Sequence, residues 1–89
     1  MLECKTEIVN KLGLHARAAA KLVKLCSTFD SDVKMEKDGR QVNCKSIMGV
    51  MMLAAGCGSN VLITTDGSDE KAAMQAVCGL IDDKFGEDE

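Results

Sequence analysis

The chain has one histidine, His15, in the stretch Lys11-Leu12-Gly13-Leu14-His15-Ala16-Arg17-Ala18-Ala19-Ala20-Lys21-Leu22-Val23. An imidazole keeps a sizeable unprotonated fraction near neutral pH, so its ring nitrogen can attack phosphorus and carry a phosphoryl group. A glycine turn, one apolar residue and then His-Ala-Arg lead into a run of helical composition, which puts the imidazole at a helix mouth. Backbone N–H groups at that end have no acceptor inside the helix. The helix dipole adds positive potential there, so the position suits an anion. The amides of Ala16 and Arg17 and the Arg17 guanidinium are the groups expected to hold the charge of a phosphoryl group on His15. From position alone, the commoner fate of a lone histidine at a helix start is a surface residue or a satisfied cap. The rest of the chain decides between these.

The elements that must position His15 are legible from periodicity. Leu2, Cys4, Thr6 and Ile8 alternate with Glu3, Lys5 and Glu7, the pattern of a half-buried strand. A helix is expected over 16–28, with Ala19, Leu22, Val23, Cys26 and Phe29 on its inner face. Arg17, Lys21 and Lys24 form a basic stripe on the opposite face. Such a stripe can steer docking onto acidic partners, and for Lys21 and Lys24 an ordinary solvated face explains it equally well. Val33 and Met35 mark a second strand, Asp38-Gly39 a tight turn, and Val42 and Cys44 a third strand. Ser46 precedes the apolar run Ile47-Met48-Gly49-Val50-Met51-Met52-Leu53, an N-cap signature that starts a short second helix. Ala55–Asn60 is a glycine-rich turn without the Lys-Ser/Thr ending of a P-loop. Val61–Thr65 is the most strand-like segment and belongs in the sheet centre. Asp66-Gly67 turns and Ser68 caps a third helix. That helix has Asp69 and Glu70 in its first turn, Ala73, Val77, Leu80 and Ile81 on its inner face, and an end near Lys84. Four strands and three helices in the order β-α-β-β-α-β-α fit as a single domain over 1–89. The expected fold is α+β, an open-faced two-layer sandwich with helices on one face of a four-stranded antiparallel sheet.

Composition narrows the partners. The 89 residues are 46% hydrophobic but only 2% aromatic, so the core is aliphatic and methionine-filled. With no Trp or Tyr for base stacking and a net charge of −3, a nucleic-acid module is not expected. Five widely spaced cysteines contain no C-x-x-C pair. This disfavours a zinc site or a secreted disulfide framework and favours buried free thiols in a reducing cytoplasm. No cofactor, metal or membrane insertion is expected. Acids collect beyond residue 65, and Phe85-Gly86-Glu87-Asp88-Glu89 is expected to be a solvated acidic tail.

Gly13-Leu14-His15-Ala16-Arg17, Lys45-Ser46-Ile47-Met48-Gly49-Val50-Met51 and the element order together resemble HPr, the histidine-containing phosphocarrier of the bacterial sugar phosphotransferase system. The resemblance spans essentially the whole chain. It implies a monomeric cytoplasmic carrier rather than an enzyme. Enzyme I, charged by phosphoenolpyruvate, would phosphorylate His15 on Nδ1, and an enzyme IIA component would receive the phosphoryl group. It also implies regulatory phosphorylation of Ser46 by an HPr kinase/phosphorylase where one exists, and an exposed apolar docking pad of Ile47, Met48 and Met51. The chain departs from the family at two places. Ala18 stands where proline is common, which adds an amide donor to those of Ala16 and Arg17. Leu12 replaces a small polar residue. Asn10–His15 and the acidic tail lean towards the nitrogen-related branch, NPr, whereas Lys45–Met48 leans towards the kinase-regulated sugar branch. The alternative function is a regulatory binding module, NPr-like or Ser46-dependent, that controls transcription factors or enzymes without sugar transport.

Overall fold

Alternating strand residues divide the sheet into a covered face and an open one. The computed structural model describes residues 1–86, and its strands are β1 (Leu2–Glu7), β2 (Asp32–Lys37), β3 (Arg40–Asn43) and β4 (Asn60–Asp66). Val33 and Met35 of β2 and Val61, Ile63 and Thr65 of β4 are buried beneath the helices, while Lys34 between them is exposed. All pairings are antiparallel, in the spatial order β1-β4-β2-β3, so β4 lies inside the sheet as expected. Asp38 (φ 53°) and Gly39 (φ 82°) join β2 to β3 with Lys37 opposite Arg40. Positive φ at both central residues is what a two-residue hairpin turn with matching twist requires.

The covering layer is α1 (Ala16–Cys26), α2 (Ile47–Met52) and α3 (Glu70–Asp82), followed by a 3-10 turn over Lys84–Gly86. Helix α1 packs on both α2 and α3, and α3 packs on β1 and β4. The core beneath them is aliphatic, with Ile8, Leu22, Ile63, Val77 and Ile81 fully buried. Among the described residues, no helix is long and apolar enough to cross a membrane.

Several boundaries differ from the sequence expectations for identifiable reasons. β1 is an edge strand and none of its residues is fully buried; Ile8, just beyond it, is the core residue, its amide bonded to the Ser59 carbonyl at 2.9 Å. α1 stops at Cys26, because the Ser27 and Thr28 amides close the last turn onto the Val23 and Leu25 carbonyls. Asp69, not Ser68, is the N-cap residue of α3, and its carboxylate bonds away from its own helix. It accepts hydrogen bonds from the Asp30 amide (3.0 Å), the Ser31 amide (2.9 Å) and the Ser31 hydroxyl. α3 ends at Asp82, and Leu80 is only partly buried.

Phe85 does not belong to a solvated tail. It is fully buried and heads the largest buried side chains, while Lys84 and Phe85 both take φ of 56° to fold the chain back onto the helices. With only two aromatic residues available, the core uses one to close its open end. Gly86 belongs to the 3-10 turn, and Glu87–Glu89 lie outside the described residues. The cysteines divide three ways: Cys26 and Cys44 are buried, Cys4 and Cys78 half-buried, and Cys57 exposed.

Candidate functional site

His15 is the N-cap residue of α1, with extended backbone (φ −75°, ψ 178°) and no side-chain capping bond. Its carbonyl accepts the Ala19 amide at 2.8 Å, the first bond of the helix. The amides of Ala16, Arg17 and Ala18 therefore precede the first residue that has an acceptor four positions back. His15 is half-buried and Arg17 is exposed; Ala18 points into the core. Ala18 thus contributes packing through its side chain while leaving its amide at the helix mouth. No acidic residue lies in the first turn, so nothing on the helix competes with an incoming anion.

The loop before His15 is held from both sides. The buried Asn10 side chain donates to the Gly13 carbonyl at 2.8 Å, and the Gly13 amide donates to the Asn10 carbonyl at 3.1 Å. The Leu14 amide donates to the Ala55 carbonyl at 2.8 Å, and the His15 amide to the Gly13 carbonyl at 2.9 Å. Gly13 has φ of 66°, and a Cβ there would lie 2.6 Å from the Gly56 Cα. The glycine-rich turn after α2 is therefore the wall against which the His15 loop is pressed. Ala55–Ser59 forms the turn that the composition predicts over Ala55–Asn60, with Asn60 already in β4, and its backbone serves the site.

Helix α2 begins at Ser46, whose hydroxyl accepts the Gly49 amide at 3.2 Å, as expected for a capping serine. At its other end, Arg40 donates to the Met52 carbonyl (3.2 Å) and Lys37 to the Ala54 carbonyl (3.4 Å), cations placed where a helix carboxyl end favours them. Only Val50 of this helix is buried. Ile47, Met48 and Met51 are exposed as expected, Met48 by 67%. Met52 (62%) and Leu12 (67%) are exposed apolar residues that the sequence reading did not assign to the pad. The signal for Met52 was its position four residues after Met48, on the same face. The end of α2 runs through Leu53 and Ala54 to Ala55, the residue that binds Leu14. Met51 and Met52 therefore lie at the end of the helix nearest the His15 loop, and Ser46 at the far end.

The basic stripe is only partly available. Lys21 donates to the Phe85 carbonyl at 2.7 Å, so its ammonium fastens the C-terminal turn to α1. The tie is a structural task for Lys21, which is exposed on α1. Lys24 lies in the last turn of α1, exposed. Arg17 is the member of the stripe at the helix mouth. Among the described residues, no group of three or more His, Cys, Asp or Glu is arranged to hold a metal ion.

Residues 2–83 match the family model described as "PTS HPr component phosphorylation site". The chain belongs to the HPr family. Phosphocarrier protein HPr of Cupriavidus necator is 62% identical over 89 residues, covering 100% of both chains. Phosphocarrier protein NPr of Shewanella violacea is 42% identical over 97% of this chain and 94% of its own. The structure of HPr-C-His from Thermoanaerobacter tengcongensis superposes with a TM-score of 0.96 at 47% identity, with 100% of each chain covered. The open sheet and its helical layer are thus the HPr fold, and the chain is a phosphocarrier protein rather than a catalyst.

Proposed function

We propose that the chain relays a phosphoryl group from enzyme I, charged by phosphoenolpyruvate, through His15 to an enzyme IIA component, acting as a monomer in the cytoplasm. A ring nitrogen of His15 attacks phosphorus, the enzyme I group leaves, and the reverse sequence hands the phosphoryl group to the next protein. The observation that carries this reading is the position of His15 as N-cap of α1, with the Ala16, Arg17 and Ala18 amides facing the helix mouth and Arg17 exposed beside them. Amides and one mobile guanidinium stabilise the phosphoryl charge without a metal. They hold it weakly enough for transfer onward, as a carrier requires. The apolar surface of Ile47, Met48, Met51 and Met52, with Arg17 and Lys24 as exposed cations, supports a docking face of mixed character for both partners. The greater identity to a relative named HPr than to one named NPr supports the sugar branch over the nitrogen-related one.

Ser46 supports a second layer of control. A phosphate on its hydroxyl, added by an HPr kinase/phosphorylase, would sit at the start of α2, where the dipole favours it. It would add about −1.5 to −2 charges beside the apolar docking face. Docking would weaken while the fold stays intact. A purely regulatory module acting through Ser46 would leave His15 without a task.

The test is transfer in sequence. Labelled phosphoenolpyruvate and enzyme I should label the chain, adding an enzyme IIA component should remove the label, and His15→Ala should take up none. A chain that stays unlabelled beside an active enzyme I, yet still binds a regulatory partner when phosphorylated on Ser46, would replace the relay with the regulatory module.

A further inference from the structure

Four of the five cysteines stand in two facing pairs, and the pairs differ in access. Cys26, at the end of α1, and Cys44, just beyond β3, are fully buried. The hydrogen bond to Cys26, and then burial, push the Cys44 thiol up. In the folded protein this pair is sealed from reagents. Cys4 and Cys78 are not. Cys4 lies on the edge strand β1, opposite Ile63 of β4. Residues opposite one another in a ladder share a face of the sheet, and Ile63 is buried beneath the helices. Cys4 therefore faces the helical layer. Helix α3 packs on β1 and carries Cys78, whose sulfur lies 3.6 Å from the Met74 sulfur one turn earlier. Cys4 is the neighbouring thiol whose presence acts on Cys78, and both residues are half-buried. The phosphoryl relay uses neither of them.

We propose that Cys4 and Cys78 form a reversible intramolecular disulfide, made by exchange with a low-molecular-weight disulfide, which fastens the edge strand β1 to α3. The Cys4 thiolate attacks one sulfur of the reagent, forming a mixed disulfide and expelling the first thiolate. Cys78 then loses its proton to solvent and attacks the Cys4 sulfur, forming the Cys4–Cys78 bond and expelling the second thiolate. One disulfide is consumed and one formed; the reagent gains the two electrons that the cysteines lose, and the two released protons balance the two expelled thiolates. Burial first, then the neighbouring Cys4 thiol and the Asp82 charge, push the Cys78 thiol up to about 11. Cys78 therefore rests as a thiol near neutral pH, and its attack on the mixed disulfide is slow there and faster as pH rises. The closed loop spans most of the chain, which favours a large stabilising effect.

The full chain, treated with glutathione disulfide at mildly alkaline pH, alkylated and digested with trypsin without reduction, tests the proposal. The peptide Met1–Lys5 should be joined to peptide 72–84, with the loss of two hydrogens. Cys26 and Cys44 should react with alkylating agent only after unfolding. The oxidised chain should melt higher than the reduced one by on the order of 10 °C. Cys4→Ser and Cys78→Ala, treated in the same way, should show no such rise. Glutathione remaining attached to Cys4 or Cys78, either cysteine joined to Cys57 or to a second copy, or modification confined to Cys57 would each overturn the proposal.

Discussion

Gly13 is the residue at which one added carbon does the most harm to the site. It combines φ of 66° with a backbone neighbour only 2.6 Å from where a Cβ would stand, so Gly13→Ala must move either its own loop or the Ala55–Gly56 backbone. Left-handed strain alone costs roughly 1–3 kcal/mol, and the displaced wall adds to it. Gly13→Ala should lower the urea midpoint and slow phosphoryl uptake even where the protein is fully folded, measured as initial rate against enzyme I. Arg17 acts by charge and shape instead. Arg17→Ala should reduce the transfer rate by about 10–100-fold, the equivalent of one lost charge-assisted hydrogen bond, with no change in melting temperature. Arg17→Lys should recover part of the rate, because it keeps the charge and loses the planar fork. Both residues were legible in the sequence, since glycine before a helix mouth and His-Ala-Arg at its start are local signals. The tie between Lys21 and Phe85 was not, because its partner is 64 residues away.

At the scale of elements, Ser46 and Asp69 show what a cap can and cannot reveal from sequence. Ser46 caps its own helix, so the apolar run after it was sufficient to place it. Ser46→Ala should cost about 1 kcal/mol of stability and leave transfer from enzyme I nearly unchanged. Ser46→Asp should retain the cap and slow transfer; an unchanged rate would refute control through this residue. Asp69 is different, because its partners Asp30 and Ser31 belong to the loop between α1 and β2. No window around Asp69 contains them. The Ser31 hydroxyl, and then the Asp30 amide, hold the Asp69 carboxyl below the usual carboxylate range. Because the folded value lies below the unfolded one, the stabilisation is complete above about pH 4 and is lost as pH falls through the folded value. Melting curves from pH 6 downward should therefore be less steep for Asp69→Asn than for the parent chain, and the two should converge in acid.

For the whole molecule, the composition told correctly that the core is aliphatic, and the order of strands and helices told how it is layered. The expected filling by methionine is corrected, since of the six only Met35 is fully buried and four are exposed. What it concealed was how the open end is closed. Phe85 sits beside a run of acids and reads as tail, yet it is fully buried and tied down by Lys21. Phe85→Ala should cost about 3–5 kcal/mol, measured by denaturant unfolding, a large share of the stability of a domain this small. The exposed apolar surface of α2 was equally hidden in part, because a six-residue helix of mostly apolar residues does not say which of them the core takes. In the proposed relay all these parts serve one task, to present a single imidazole at a helix mouth to two successive partners. The most direct test is to locate the phosphoryl group. After reaction with enzyme I and phosphoenolpyruvate, tryptic peptides kept in alkaline buffer should carry phosphate on Leu12–Arg17, stable to base, lost in acid and absent from His15→Ala. Acid-stable phosphate, or phosphate on any other peptide, would contradict the account.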